Sequence, residues 1–313
     1  MHSRRSAPSL RTATLLAALL GAAPAAAADA PAAPAPPPAQ PPAKEVKWTP
    51  GPARVDLGES LAEVRLPETV AFAGAADTRK LLEAMGNITH GSEQGIIVPR
   101  ADDQDWFIVF DWHPVGYVKD EEKDQIDADE LLKSISENTE RSNEERKKRG
   151  MPGLHVVRWA EPPRYDAATH NLTWALVGRN DGGKESVNYN VRVLGREGVM
   201  SVTLVDEPQN LAKAKPQVDA VLGAFSYKLG KRYAEWVPGD KVAEYGLTAL
   251  VAAGAGAAAV KLGFFAVLGK FLAKSAKLVV VGLAALGGVF VKFWNALRGK
   301  ASARPARPPG EGA

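Results

Sequence analysis

The stretch NLTWALVGRNDGGKESVNYNVRVLG, residues 171–195, decides the fold. Leu172, Trp174 and Leu176 alternate with Thr173, Ala175 and Val177. A period of two sends successive side chains to opposite faces of a strand. Val187, Tyr189, Val191 and Val193 alternate in the same way with Asn188, Asn190 and Arg192. Between the runs stands NDGG, residues 180–183, which supplies the backbone freedom of a tight hairpin turn. The segment therefore predicts two antiparallel strands joined directly.

Working outward, RYDAATH precedes the first run and raises a choice between a turn and a reactive centre. Asp166, Thr169 and His170 fall within five positions. An aspartate at the first turn position accepts amide hydrogens from the residues ahead, and small residues fill the middle. Strand-like runs end near Tyr165 and start near Asn171, so the turn is the favoured reading. A catalytic role for Asp166 and His170 needs a nucleophile and an orienting group that spacing alone does not supply.

Further strands are expected at GIIVPR, DWFIVFDW, GYVKD, LHVVRWA before Pro162-Pro163, and GVMSVTLVDE. Helices are expected after Asp77, after the N-cap Asp127 with Glu130 completing a capping-box-like pair, and from about Pro216 to Phe225. The helix after Asp127 carries an apolar stripe only in its first half, and ends in the basic run Arg146 to Arg149. Glu144 and Glu145 offset that run, which reads as a solvated helix end. Hairpins with a few separate helices specify an α+β domain with a mainly antiparallel sheet.

The two ends of the chain differ from this middle. Arg4, Arg5 and Arg11, a short apolar run from Thr12 to Ala23, and Ala26-Ala27-Ala28 form a secretory signal pattern over residues 1–28. Residues 29–46 are a Pro/Ala-rich linker. Residues 242–269 read as a transmembrane helix with Lys261 inside it, and 277–295 as a second transmembrane or interfacial helix. Gly254, Gly256, Gly282, Gly287 and Gly288 offer small surfaces for helix approach. Residues 296–313 form a basic, disordered tail. Lys270, Lys274 and Lys277 favour a cytoplasmic loop between the spans, whereas the basic tail argues against a second crossing.

The formal charge of +3 gives no global case for nucleic acid, and the absence of cysteine excludes disulfides and thiol chemistry. The histidines His2, His90, His113, His155 and His170 show no metal-ligand spacing. The acidic run from Asp120 fails as a calcium loop, because Gln125 stands where glycine is needed and Leu131 where the last carboxylate is needed. No phosphate-binding glycine loop or nucleophile elbow is present. Neither catalytic, cofactor nor metal residues are assigned.

The ordered motifs LLEAMGN, GYVKDEEKDQIDADELLKSISENTE, PPRYDAATHNLTWAL, VNYNVRVLGREGV, GKRYAEW and YGLTAL span roughly residues 48–295. Together they resemble the DUF2167 family of membrane-anchored bacterial proteins of unknown function. The resemblance implies attachment to a bacterial inner membrane and transfers no catalytic residue. The expectation is a non-enzymatic, envelope-associated interaction module. Its folded domain, residues 47–240, would face the periplasm, with the bilayer and a membrane protein or a second copy as partners. The alternative is an envelope hydrolase drawing on Asp166, His170, His113 and the acids near Asp120.

Overall fold

The computed structural model describes residues 46–252. The hairpin expected from the alternation forms: β8 (Asn171–Asn180) pairs antiparallel with β9 (Glu185–Leu194). The Asn180 side chain accepts from the Lys184 amide at 2.9 Å, and Gly183 takes φ +79°, so NDGG does close this turn. Eight strands build the central sheet around that pair. β1 is Thr49–Pro50, β4 Val70–Gly74, β5 Glu93–Pro99, β6 Phe107–His113, β7 Leu154–Asp166 and β10 Val199–Asp206. The order across the sheet is β1-β4-β5-β6-β10-β9-β8-β7, with every pairing antiparallel.

One face of this sheet packs on a second layer. β2 (Ala53–Leu57), β3 (Ala62–Leu66) and β11 (Phe225–Tyr227) form a three-stranded sheet, joined by helix α3 (Leu211–Ala224). Val55, Val64 and Leu66 meet Phe110, Val191, Val202 and Leu204 of the large sheet, with Val218 and Val221 of α3 completing the core. Tyr227 anchors the layers: its hydroxyl donates to the Val193 carbonyl at 2.8 Å and accepts the Met200 amide at 3.0 Å.

The opposite face is covered at its two sides. Helix α1 (Ala75–Ala84) lays Leu81 and Leu82 against Ile96, Val98, Phe107 and Val109. It begins before Asp77, whose carboxylate accepts the Lys47 amide and pairs with Lys80. Helix α2 (Ala128–Lys148) lays Leu131 and Ile135 against Leu172, Trp174 and Leu176. Asp127 caps it as expected, accepting from the Asp129 and Glu130 amides at 3.1 and 3.0 Å. Hydrogen bonds replace apolar contact in its polar second half. Asn143 bonds both backbone groups of Leu154, and Arg146, which is buried, donates to the Pro152 carbonyl at 2.8 Å.

Two local expectations fail for physical reasons. Pro162-Pro163 does not break the strand, because β7 is an edge strand and its ladder shifts register between Trp159 and Arg164. Prolines are tolerated on edges and at bulges, where no ladder amide is lost. Helix α3 starts ahead of Pro216 and keeps that proline inside, since a 3-10 turn over Pro208–Asn210 nucleates it.

The membrane reading is corrected. Among the described residues no helix is long and apolar enough to cross a membrane. The start of the expected first span instead belongs to the domain. Val242 bridges Tyr117, and α4 (Leu247–Ala252) buries Leu247, Leu250 and Val251 against the α2 side of the core. The apolar run was read as lipid-facing, yet its first turns are protein-facing. The transmembrane hairpin, the bilayer as partner, the membrane-anchored function and the inner-membrane location are therefore not carried further. The signal pattern over 1–28, the linker up to residue 45, the rest of the two expected spans over 253–295 and the tail 296–313 lie outside the described residues.

Candidate functional site

The residues that sequence spacing brought forward separate in the structure. Asp166 is committed to its turn: its carboxylate accepts the Ala168 amide and the Thr169 hydroxyl, both at 2.9 Å. These bonds hold its pKa below the usual carboxylate range, the Ala168 amide most strongly. His170 sits at φ +54°, a left-handed position that closes the turn. Its Nδ1 lies 3.1 Å from the Tyr165 hydroxyl, which donates to Asp120 at 3.1 Å, and its ring lies tilted against Tyr233, with centroids 4.4 Å apart. Asp120 and His170 thus share Tyr165, while Asp166 faces the turn. The hydrolase reading around Asp166 and His170 is corrected on this ground: both carboxylate oxygens are occupied by turn bonds. The remaining histidines scatter: His155 joins α2 to the β8–β9 turn, and the His90 amide donates to Glu93.

A different set of polar groups does converge. It lies on the helix-covered face of the central sheet, between the parts covered by α1 and α2. Ser201 on β10 is the ladder partner of Asp111 on β6 and of Arg192 on β9. Asp111 is in turn paired with Glu93 at the start of β5. Glu93, Asp111, Ser201 and Arg192 therefore form one row across adjacent strands, and directly paired residues share a face. His113, two residues along β6 from Asp111, lies on the same face. Asn190 and Thr203 lie in the next row and bond each other at 3.3 Å.

This row is withdrawn from water and incompletely paired. Ser201 is fully buried, Asp111 and Arg192 are 2 % exposed and Glu93 4 %. Glu93 Oε2, Asp111 Oδ2, Ser201 Oγ, Arg192 Nη1 and His113 Nε2 are buried without a hydrogen-bond partner. Native interiors pair nearly all such groups, because each unpaired one costs about 1–3 kcal/mol. Glu93 has a 4.0 Å contact with Arg79, and Asp111 accepts from Ser92 at 3.2 Å. Arg192 forms no ion pair among the described residues. Its guanidinium rests 4.7 Å above the Trp174 ring.

The electrostatics follow from that burial. Burial, then the neighbouring Glu93, pushes the Asp111 carboxyl up to about 7, against opposing contributions from Ser92 and Arg192. Burial and the Arg192 charge hold His113 down at about 3, so it is neutral at physiological pH. Burial lowers Arg192 to about 10, which still leaves it charged. Tyr245, pushed up to about 12 by burial, is close enough for Arg192 to act on it electrostatically. The segment expected to enter a bilayer thus contributes to the surroundings of this site.

Among the described residues, no group of three or more His, Asp or Glu side chains is placed to hold a metal ion. Among the described residues the arrangement offers a cation without an ion pair, a neutral hydroxyl and a pair of carboxyl groups in a low-dielectric setting. Of these residues, sequence reasoning had singled out only His113. Asn188, Asn190 and Arg192 were visible as the polar side of a strand. Only the strand order reveals that this side is central and covered.

Comparison with known proteins adds the family. Residues 49–287 match the model described as "Protein of unknown function (DUF2167)". No curated protein matches the chain. Among solved structures, the chain is similar to one titled "Solution Structure of Cyanobacterial PsbP (CyanoP) from Synechocystis sp. PCC 6803". The identity is 10 %, over 56 % of this chain and 91 % of that one, with a TM-score of 0.34. That likeness is too low to bear on function. The match over residues 49–287 covers most of the chain, which therefore belongs to the DUF2167 family.

Proposed function

We propose that the domain is a ligand-binding module, and that the row Glu93, Asp111, Ser201 and Arg192 receives an anionic group of a small molecule. Arg192 carries this reading. It is buried, charged and without an ion pair among the described residues, with Nη1 unpaired. A buried charge left without a partner costs several kcal/mol. A ligand carboxylate or phosphate would supply the missing partner, and Ser201 would donate a second hydrogen bond. Trp174 below the guanidinium holds its plane and limits where the anion can approach. The domain 47–240 and the segment 242–252 packed on it act as one unit.

The test is thermal denaturation of the purified full-length chain with acetate, succinate and inorganic phosphate, for the wild type and for Arg192→Met. The reading predicts a saturable rise in Tm with at least one of these anions, absent in the variant. Equal shifts in both proteins, or no shift in either, would overturn it.

A further inference from the structure

The row carries charges of both signs at separate ends, and this separation defines the ligand further. We infer that the ligand is a small zwitterion whose carboxylate meets Arg192 and Ser201 and whose ammonium meets Asp111 and Glu93. This rests on the reading of the row as a ligand site.

Asp111 and Glu93 are ladder partners on one face, so their side chains start about 5 Å apart. Each presents a buried oxygen without a hydrogen-bond partner, Oδ2 and Oε2 respectively. Two neighbouring carboxyl groups of like charge need a cation or a proton between them. Arg79 reaches Glu93 only at 4.0 Å from a partly exposed position, so it does not fill that role for Asp111. A metal ion would want more ligands than this pair offers, and no third His, Asp or Glu joins it among the described residues. An ammonium group, with three directional N–H donors, suits two facing carboxyl oxygens.

The other end asks for the opposite charge. Arg192 lies two strands from Asp111 through Ser201, which places their Cα atoms roughly 10 Å apart. A compact molecule with its two charges a few ångströms apart would span much of that separation. Amino acids with a short spacer between amine and carboxylate have this shape. A ligand with a single charge would compensate one end and leave the other buried and unpaired. A zwitterion compensates both while adding no net charge to a low-dielectric site.

The proton balance gives the inference a sign of its own. Near pH 7 Asp111 is partly protonated. An ammonium beside it favours the carboxylate, so zwitterion binding releases a proton. A simple carboxylate brings negative charge alone, so its binding takes up a proton.

Isothermal titration of the full-length chain at pH 7, in two buffers of different ionisation enthalpy, reads both affinity and proton exchange. The probes are glycine, β-alanine and γ-aminobutyrate, with acetate, propionate and methylammonium as single-charge controls. Expected is saturable binding of at least one amino acid, at least tenfold tighter than its single-charge controls, with proton release. Asp111→Asn and Glu93→Gln, which preserve shape, should each weaken it tenfold or more. Binding of acetate or propionate as tight as the amino acids, unaffected by either variant, overturns the zwitterion and leaves the anion site standing. No binding by any probe overturns both.

Discussion

Asp111 and Arg192 face the same side of the central sheet, each paired across the ladder with Ser201, and they form no ion pair with each other. The protein therefore holds an acid and a cation in one buried row, close enough to act on each other electrostatically but not in contact. Other charges in the domain are paired directly: Arg196 with Asp240, for example, makes a two-point contact at 2.6 and 2.8 Å. The row differs in gathering unpartnered groups of both charge signs on adjacent strands.

Replacing Arg192 removes a buried charge that forms no ion pair among the described residues. Methionine keeps much of the volume and the contact with Trp174. Arg192→Met should be at least as stable as the wild type, by about 1–3 kcal/mol in urea denaturation. A loss of stability would mean that the charge already has a sufficient partner in the folded protein.

Asp111 and His113 pull the pH dependence of stability in opposite directions. The Asp111 pKa rises to about 7 on folding. The folded state then binds more protons between the ordinary carboxylate range and pH 7, so stability falls as pH rises through that window. The His113 pKa drops to about 3 on folding. Here the unfolded state binds more protons, so stability falls as pH drops below the ordinary histidine range. The two contributions largely cancel in the wild type. Asp111→Asn should unmask the acid-side loss, and His113→Gln the loss from the ordinary carboxylate range up to about pH 7. Urea midpoints measured from pH 4 to pH 8 check both signs, and an unchanged profile in both variants would contradict the buried assignment.

The hydroxyl of Tyr227 satisfies two buried backbone groups, on Met200 and Val193, at the junction of the two sheets. Tyr227→Phe keeps the ring contacts with Trp112 and Phe225 but strands both groups. The expected cost is about 1–3 kcal/mol in chemical denaturation. Ligand binding at the polar row should survive, since Tyr227 reaches the central sheet from the opposite face.

His155 is held between Glu140 at 2.8 Å and Asp181 at 2.9 Å. Its pKa is raised, chiefly by the Asp181 bond and then by Glu140. Its stabilising contribution is full below the ordinary histidine pKa and fades as pH rises through the raised value. Side-chain NMR titration should place His155 above free histidine, and Asp181→Asn should move it down more than Glu140→Gln does. A value unchanged by both substitutions would mean that the clamp does not persist in solution.

Much of this architecture is legible in the chain. Leu172 to Leu176 and Val187 to Val193 announce their hairpin through period-two alternation, and Asp127 announces α2 through capping chemistry. These signals are local, so they survive without knowledge of the tertiary structure. Pro162-Pro163 misleads because local propensity does not say whether a strand lies at an edge. Residues 242–252 mislead because apolar character is the same whether the partner is lipid or a helix such as α2. The polar row is hidden for the same reason at larger range. Glu93, Asp111, Ser201 and Arg192 come from separate strands, and each alone reads as a solvent-facing residue of an alternating run. Only the ladder registers put them side by side on one buried face of the sheet.

The most direct test of the central claim is calorimetric titration of wild type and Arg192→Met with the anion that raises Tm most. The account predicts saturable binding to the wild type and its loss in a variant that remains folded and no less stable. Equal binding to both proteins would contradict it, as would a wild type that binds none of the anions.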